Sequence, residues 1–347
     1  MKSWQLKLYK WTHWEYWPFP LVYYPMFPVW LYFSLRARSF FFFNAANPTM
    51  KNGGMAMESK MQIYDLIPPG AFPKTIYISK QESLENALNK VFSSRIQYPF
   101  IVKPDIGMKS FGVDKIKNKE KFRDYFLRMH DDFLVQDLIP YQNELGIFYV
   151  RMPDEKKGKI TGLVAKKFLS VIGDGKSSIL QLIKQNPRSH FQLKALQKKY
   201  GFKLNMVLDQ GKEFVLVPFG SHTRGAEFKD VTHLLNDDLL ETIDGICSKV
   251  EGFHYGRLDI LYNSFEELSR GEKFSIIEIN GAGGEPTHIY DPKHSIFFAW
   301  REIFRHWKMM NDVSIINHKK GYSYLSFKDG RAMLKDSNLV EQQIKAI

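Results

Sequence analysis

Apolar and polar positions vary along this chain in patterns that predict a mixture of sheets and helices. Short apolar runs closed by turn residues predict buried strands. YPFIVKP, DFLVQDLIP, ELGIFYVR, KITGLVAKK, YGRLDILY and FSIIEIN read this way, as does TIYI. SFFFFNAANP, apolar and ending in a polar loop, is expected to form a buried parallel strand. Helical spacing occurs in QESLENALNKVFSSR, which sets Leu84, Leu88 and Phe92 on one face. Further helices are expected around Lys60, over SSILQLI, over 236–250 and over SIFFAWREIFRHW. The tail after about residue 312 is charged and weakly patterned. The expected fold class is α/β in the α+β sense.

The run WPFPLVYYPMFPVWLYFSL, Trp17 to Leu35, carries no charge and sits at the lower length limit for crossing a bilayer. Pro18, Pro20, Pro25 and Pro28 oppose one continuous helix, since each removes a backbone donor. The crowded Trp, Tyr and Phe rings favour the headgroup level of a membrane. No small-residue cleavage site follows, so a signal peptide is not expected. A spanning helix, a broken interfacial element and a buried aromatic arm all fit the run, as does an aromatic dimer interface. Membrane contact within one leaflet is preferred, with Lys2, Lys7, Lys10, Arg36 and Arg38 suited to anionic headgroups.

The 347 residues, 44% hydrophobic, suffice for a substantial core and two or three subdomains. A formal charge of +12 and a pI near 9.4 suit an anionic partner. No aromatic RNP motif or paired Cys/His finger accompanies that charge, so nucleic acid is not expected. Cys247, the single cysteine, excludes a disulfide framework and a cysteine metal site, and fits a reducing, cytosolic-side setting. The sequence leaves the oligomeric state open.

Chemistry concentrates at strand ends. Alternation sends Glu278 and Asn280 of FSIIEINGAGG to one face of their strand, and does the same for Arg257 and Asp259 in GRLD. The short connection NSFEELSRGEKF suits antiparallel neighbours, so Asp259, Glu278 and Asn280 would converge into an oxygen site for Mg²⁺ shared with phosphates. Lys103 lies among apolar residues in FIVKPD, where an ammonium is costly unless it meets an anion. The loop after it, with Gly107 and Gly112, could turn amides toward a phosphate. Glu144 suits ribose hydroxyls, and Lys166 and Lys167 form a basic pair. His222, Arg224, His288 and Tyr290 are candidate substrate contacts.

Taken in order, PFIVKP, the glycine loop, QDLIP followed by a glutamate, GRLD and IIEINGAGG resemble the motif series of ATP-grasp enzymes, over about residues 56–310. The likeness is greatest to the D-alanine–D-alanine ligase-like branch, and VIGDGKSSILQLI is similar to a segment of cyanophycin-synthetase-like members. The resemblance implies an ATP-grasp fold with a truncated amino-terminal domain and an aromatic amino-terminal segment. It implies a segment at 1–38, a shortened domain at 39–95, an ATP-grasp domain at 96–312 divided near 150, and a tail at 313–347. It also implies ATP and two Mg²⁺ ions (Mn²⁺ able to substitute), with the metals on Asp259, Glu278 and Asn280. Lys60 and Lys103 would meet phosphates, Gln136, Asp137 and Leu138 adenine, and Glu144 the ribose. Lys166 or Lys167 would close on ATP, while Arg257 and the Gly284 backbone would stabilise an oxyanion.

The implied reaction joins a carboxylate to an amine or thiol through an acyl phosphate. The aromatic segment and the short domain before Lys103 add the expectation of a lipid or envelope-related substrate at the cytoplasmic face of the inner membrane. A ligase adding amino acids to proteins and a non-catalytic nucleotide-binding scaffold are the rival readings. Too few residues separate Arg38 from Lys103 for a full substrate domain, and DIGMKSFG lacks the family's serine-rich loop. D-alanine is accordingly not assigned as the substrate.

Overall fold

The computed structural model describes residues 3–107 and 111–346. Three sheets form its frame, and every strand pair in them is antiparallel. In the first, β1 (Thr75–Ile78), β2 (Phe100–Pro104), β3 (Asp114–Ile116) and β4 (Phe133–Asp137) lie in the order β1-β4-β2-β3. The second joins β5 (Asn143–Val150), β6 (Lys159–Lys167), β9 (Glu227–Asp230), β10 (Tyr255–Tyr262) and β11 (Phe274–Asn280) in the order β11-β10-β5-β6-β9. A two-stranded sheet of β7 (Leu169–Ile172) and β8 (Glu213–Val217) stands apart.

β5 shows how the pattern positions the site. Leu145, Ile147 and Tyr149 enter a core with Leu258, Ile260, Ile243 and Cys247. The alternate residues Phe148 and Val150 enter a second core with Phe42, Tyr255, Met310 and Val313. Both faces are covered, so the strand reads as a continuous apolar run. On that second face, beyond Phe148, the side chains turn polar: Glu144 here, Lys166 on β6, and Arg257 with Asp259 on β10. Gly146 makes room for them, since a Cβ there would lie 3.3 Å from Asp259 Oδ1 and 2.7 Å from Val164 Cγ1.

The amino-terminal segment is broken into helices at Ser3–Thr12, Phe19–Tyr23 and Phe27–Ala37, with prolines at the starts of the latter two. Among the described residues no helix is long and apolar enough to cross a membrane, so a single spanning helix is not formed. Val22 and Met26 are buried against Ile289, Ala299 and Ile303. Phe33 and Ala37 pack in the core that includes Met310 and Val313 of the long Ile296–Lys319 helix. Trp14 Nε1 donates to the His294 carbonyl at 2.7 Å, and Trp300 Nε1 to that of Val22 at 2.9 Å. The opposite side, with Phe19, Tyr24, Phe27, Leu31 and Leu35, is exposed, as are Trp4, Leu8 and Trp11.

Other expectations change. SFFFFNAANP forms a turn and a 3-10 helix at Phe42–Ala46 rather than a strand. A strand would send successive rings to opposite faces. Here Phe41, Phe42 and Phe43 all enter one core, each contributing roughly 1.5–3 kcal/mol by burial. Asn47 then anchors the segment, its side chain accepting from the amides of His254 at 2.9 Å and Tyr255 at 3.0 Å. In the Leu84–Ser94 helix the buried residues are Ala87 and Val91, while Phe92 is 86% exposed. The tail is not unpatterned, for Phe327–Ala346 is a helix whose Ile344 is buried against Pro104, Gly107 and Gly112.

Candidate functional site

In the β10–β11 pairing Arg257 stands opposite Asn280 and Asp259 opposite Glu278. The alternation read from the sequence thus holds, and it brings the three oxygen-bearing side chains to one corner. Asn280 Nδ2 lies 3.5 Å from Asp259 Oδ2. Arg257 grips Asp259 with Nε and Nη2, both at 3.0 Å, and Lys166 Nζ reaches the same carboxylate at 2.9 Å. Lys166 also donates to Glu144 at 2.7 Å, and the Gly220 amide to the other Glu144 oxygen at 3.1 Å. Lys166, Glu144 and Asp259 are all buried. Burial alone would raise the Asp259 carboxyl, but Arg257 and Lys166 outweigh it and hold the group at about 2. Burial would likewise lower Lys166, yet Asp259 and Glu144 keep it above its ordinary value.

Adjacent positions on β6 settle which lysine faces this cluster. Lys166 points inward and is 8% exposed, whereas Lys167 is exposed on the other side. Glu144, expected on a ribose, is instead locked between Lys166 and the Gly220 amide.

The first sheet supplies the facing ammonium groups. Lys103, 7% exposed on β2, donates to the Tyr64 hydroxyl at 2.7 Å and to the Ile277 carbonyl of β11 at 3.1 Å. Tyr64 itself donates to the same carbonyl, so these bonds join the two sheets. Burial pulls Lys103 down to about 8 against the opposing charges of Glu278 and Asp105. An ammonium given only neutral acceptors is a costly arrangement that an incoming anion would relieve.

Lys60 opens the Lys60–Leu66 helix, capped by Ser59. Its Nζ donates to the carbonyls of Gly107 at 2.8 Å and Asp105 at 3.3 Å, and stands 4.0 Å from Glu278. Gly112 adopts a φ of +71°, and its carbonyl accepts from Tyr125 at 2.8 Å. Met108, Lys109 and Ser110, the middle of the glycine loop, lie outside the described residues. Gln136 is buried with its side chain on Thr75 Oγ1 at 2.7 Å. The Asp137 amide donates to the Lys74 carbonyl at 2.9 Å, and Leu138 begins the connector to β5.

Further residues belong to this corner although their spacing gave no signal. The loop of Gly53 and Gly54, both at positive φ, takes hydrogen bonds from the amides of Ala282 and Gly283, each at 2.9 Å. This contact carries Glu58 into the neighbourhood of Lys60 and Glu278. Burial raises the Glu58 carboxyl above its usual range, and its Oε2 is buried without a hydrogen-bond partner.

The Gly284 amide, assigned to an oxyanion by resemblance, closes a turn onto the Gly281 carbonyl at 2.9 Å. Arg257 is likewise engaged, donating through Nη1 to the Glu285 carbonyl at 3.2 Å. The Glu285 carboxylate receives hydroxyl bonds from Tyr23 and, at 3.2 Å, from Tyr290. His222 stacks on Tyr290 at 5.0 Å and bonds Glu15 at 3.0 Å; Glu15 is also held by Arg188 at 2.7 Å. His288 is placed otherwise, buried on Glu302 at 3.3 Å beside Arg305 and His306. That packing makes it a structural group rather than a substrate contact. Arg224 lies over the Phe219 ring at 5.9 Å, half-buried.

Asp259, Glu278 and Asn280, with the orphan oxygen of Glu58 nearby, are a set of hard oxygen donors that fits magnesium. Among the described residues no three His, Cys, Asp or Glu stand close enough to hold an ion by themselves.

No family profile matches the chain, and no curated protein matches it. Solved structures do resemble it. A bifunctional glutathione synthetase from Pasteurella multocida is 15% identical, with a TM-score of 0.41, over 75% of this chain and 38% of its own. The VanG D-Ala:D-Ser ligase from Enterococcus faecalis is 13% identical, with a TM-score of 0.43, over 77% and 62%. A D-alanine–D-alanine ligase from Bacillus anthracis is 13% identical, with a TM-score of 0.43, over 79% and 72%. The present chain therefore matches less than two thirds of the first two.

Proposed function

We propose that this chain is an ATP-dependent ligase that joins a carboxylate to an amine by way of an acyl phosphate. The observation that carries this reading is the corner where Asp259 faces Glu278 across β10–β11 while Lys103, from the other sheet, bonds the carbonyl beside Glu278. Oxygen donors with a buried, anion-seeking ammonium beside them suit a triphosphate better than any neutral ligand.

On this reading Lys103 and Lys60 neutralise phosphate oxygens, and the connector from Gln136 through Leu138 borders the base. A substrate carboxylate attacks the γ-phosphorus, the bond to the β-phosphate oxygen breaks, and ADP leaves. The amine then attacks the acyl carbon, loses a proton and expels phosphate. Magnesium on Asp259, Glu278 and Asn280 would supply positive charge to the phosphates. Arg257 orients Asp259, and the Glu285 amide, which donates to none of the described residues, is available to the carbonyl oxygen under attack.

We further propose that the reaction occurs at a membrane surface, the exposed face of the amino-terminal helices resting in the headgroup layer with Lys7 and Lys10 nearby. The apolar side chains of that face support this reading. ADP release from ATP, screened against pools of carboxylates with amines, tests the ligase assignment. Glu278→Gln is expected to lower substrate-dependent release by roughly a hundredfold or more, with the circular dichroism spectrum retained. Undiminished turnover would refute it.

A further inference from the structure

The corner beside Arg257 holds a carboxylate for which the phosphate chemistry has no use. Glu285 is half-buried, and among the described residues no lysine, arginine or histidine lies within ion-pair distance of it. Both of its hydrogen bonds, from Tyr23 and Tyr290, fall on the same oxygen, Oε1. Oε2 accepts none from the described residues. Burial, followed by the charge of Glu285, pushes both phenols above their ordinary value, so they remain donors to its carboxylate.

This carboxylate is aimed with some effort. Trp14 stacks on the Tyr290 ring at 5.4 Å and His222 at 5.0 Å. Glu15, 6% exposed, ties His222 and Arg188 together behind them. Tyr23 comes from the Phe19–Tyr23 helix, so the amino-terminal segment forms one wall of the corner. Through its own carbonyl Glu285 is also bonded to Arg257, two residues before Asp259 on the same strand face.

We propose that Glu285, presented by Tyr23 and Tyr290, is the receiving group for a cationic amine. This deepens the ligase reading by making the acceptor substrate a primary ammonium compound rather than a thiol or alcohol. A carboxylate with one oxygen fixed by phenols and the other unoccupied by protein donors is a monodentate seat for R–NH₃⁺. The same oxygen can take the proton the amine sheds when it attacks an acyl carbon.

The test is calorimetric titration of the full chain, with MgADP present, using ethanolamine, putrescine and alaninamide as cationic probes and ethylene glycol as a neutral one. At least one cationic probe is expected to bind, ethylene glycol not at all, and Glu285→Gln to weaken the cation on the order of tenfold or more. Tyr23→Phe keeps the ring and removes one donor. Cation affinity should therefore fall while MgADP affinity is kept, a split that a purely structural tyrosine would not cause. If no cationic probe binds, or if Glu285→Gln binds it as tightly as the parent chain, the amine seat is overturned. ADP release with undiminished amine affinity in Glu285→Gln would overturn the seat and leave the ligase standing. Lost amine binding in a chain that releases no ADP with any carboxylate–amine pair would do the reverse.

Discussion

The ends of β10 and β11 and the helices of residues 3–37 are both conspicuous in the sequence, yet only the first translates directly into geometry. Asp259 and Asn280 are 21 positions apart and meet through one antiparallel pairing. Strand alternation fixes their face, and a short connection fixes the partner. In the amino-terminal helices, apolar rings occupy nearly every side. Which of them are buried depends on residues 262 to 280 positions away, where Tyr23 meets Glu285, Val22 meets Trp300 and Trp14 meets His294. Local period carries information about local partners. It says little about a surface completed by the far end of the chain.

Substitutions can sharpen or break this contrast. The largest effect is expected at Lys166, which neutralises two buried carboxylates. Lys166→Ala leaves Glu144 and Asp259 without that partner and should cost about 3–5 kcal/mol of unfolding free energy in urea titration. Lys167→Ala, one residue along on the exposed side, should stay within about 0.5 kcal/mol. Equal losses would mean that alternation does not define the site face.

The next effect is at Lys103, whose proton leaves near pH 8 rather than 10.5. Its folded value is depressed, so the folded chain binds fewer protons than the unfolded one between about pH 8 and 10.5, and stability gains from this group as pH rises through that window. ATP binding requires the opposite form. ATP affinity is therefore expected to fall as pH rises through 8, and Lys103→Met should flatten that dependence while weakening affinity at pH 7. A parent chain whose ATP affinity is flat from pH 7 to 9 would contradict the assignment.

The smallest and most separable effect concerns the outer face of the amino-terminal helices. Leu35, 79% exposed, and Phe27, 50% exposed, make few contacts to lose in solution. Phe27→Asp with Leu35→Asp should weaken flotation with anionic vesicles by about tenfold per residue, from the roughly 1.5–3 kcal/mol that burying each such side chain contributes. ADP release with water-soluble substrates should persist. Lost flotation together with lost release would mean that the outer face and the corner of Asp259 and Glu278 are one unit.

Much of the strand framework and the inward cluster of Arg257, Asp259, Glu278 and Asn280 was legible, because period-two alternation carries it. The Phe41–Phe43 run was not, since a short apolar run fits strand or tight helix equally and only its packing on the Ile296–Lys319 helix decides. Phe92 misled for a related reason: helical spacing names a face, but the small residues Ala87 and Val91 lie closer to the sheet. Glu58 and Glu285 were passed over because neither sits on a strand with a telling neighbour. One is carried in by a glycine loop and the other by a turn.

The tyrosine from residue 23 has a consequence for how the molecule assembles. Its partner is made some 262 residues later, so during synthesis this face of the first helices must wait, bare, until Glu285 has emerged. Contacts of such long range close slowly. The corner at Glu285 is thus completed only when a late segment returns to the first helices.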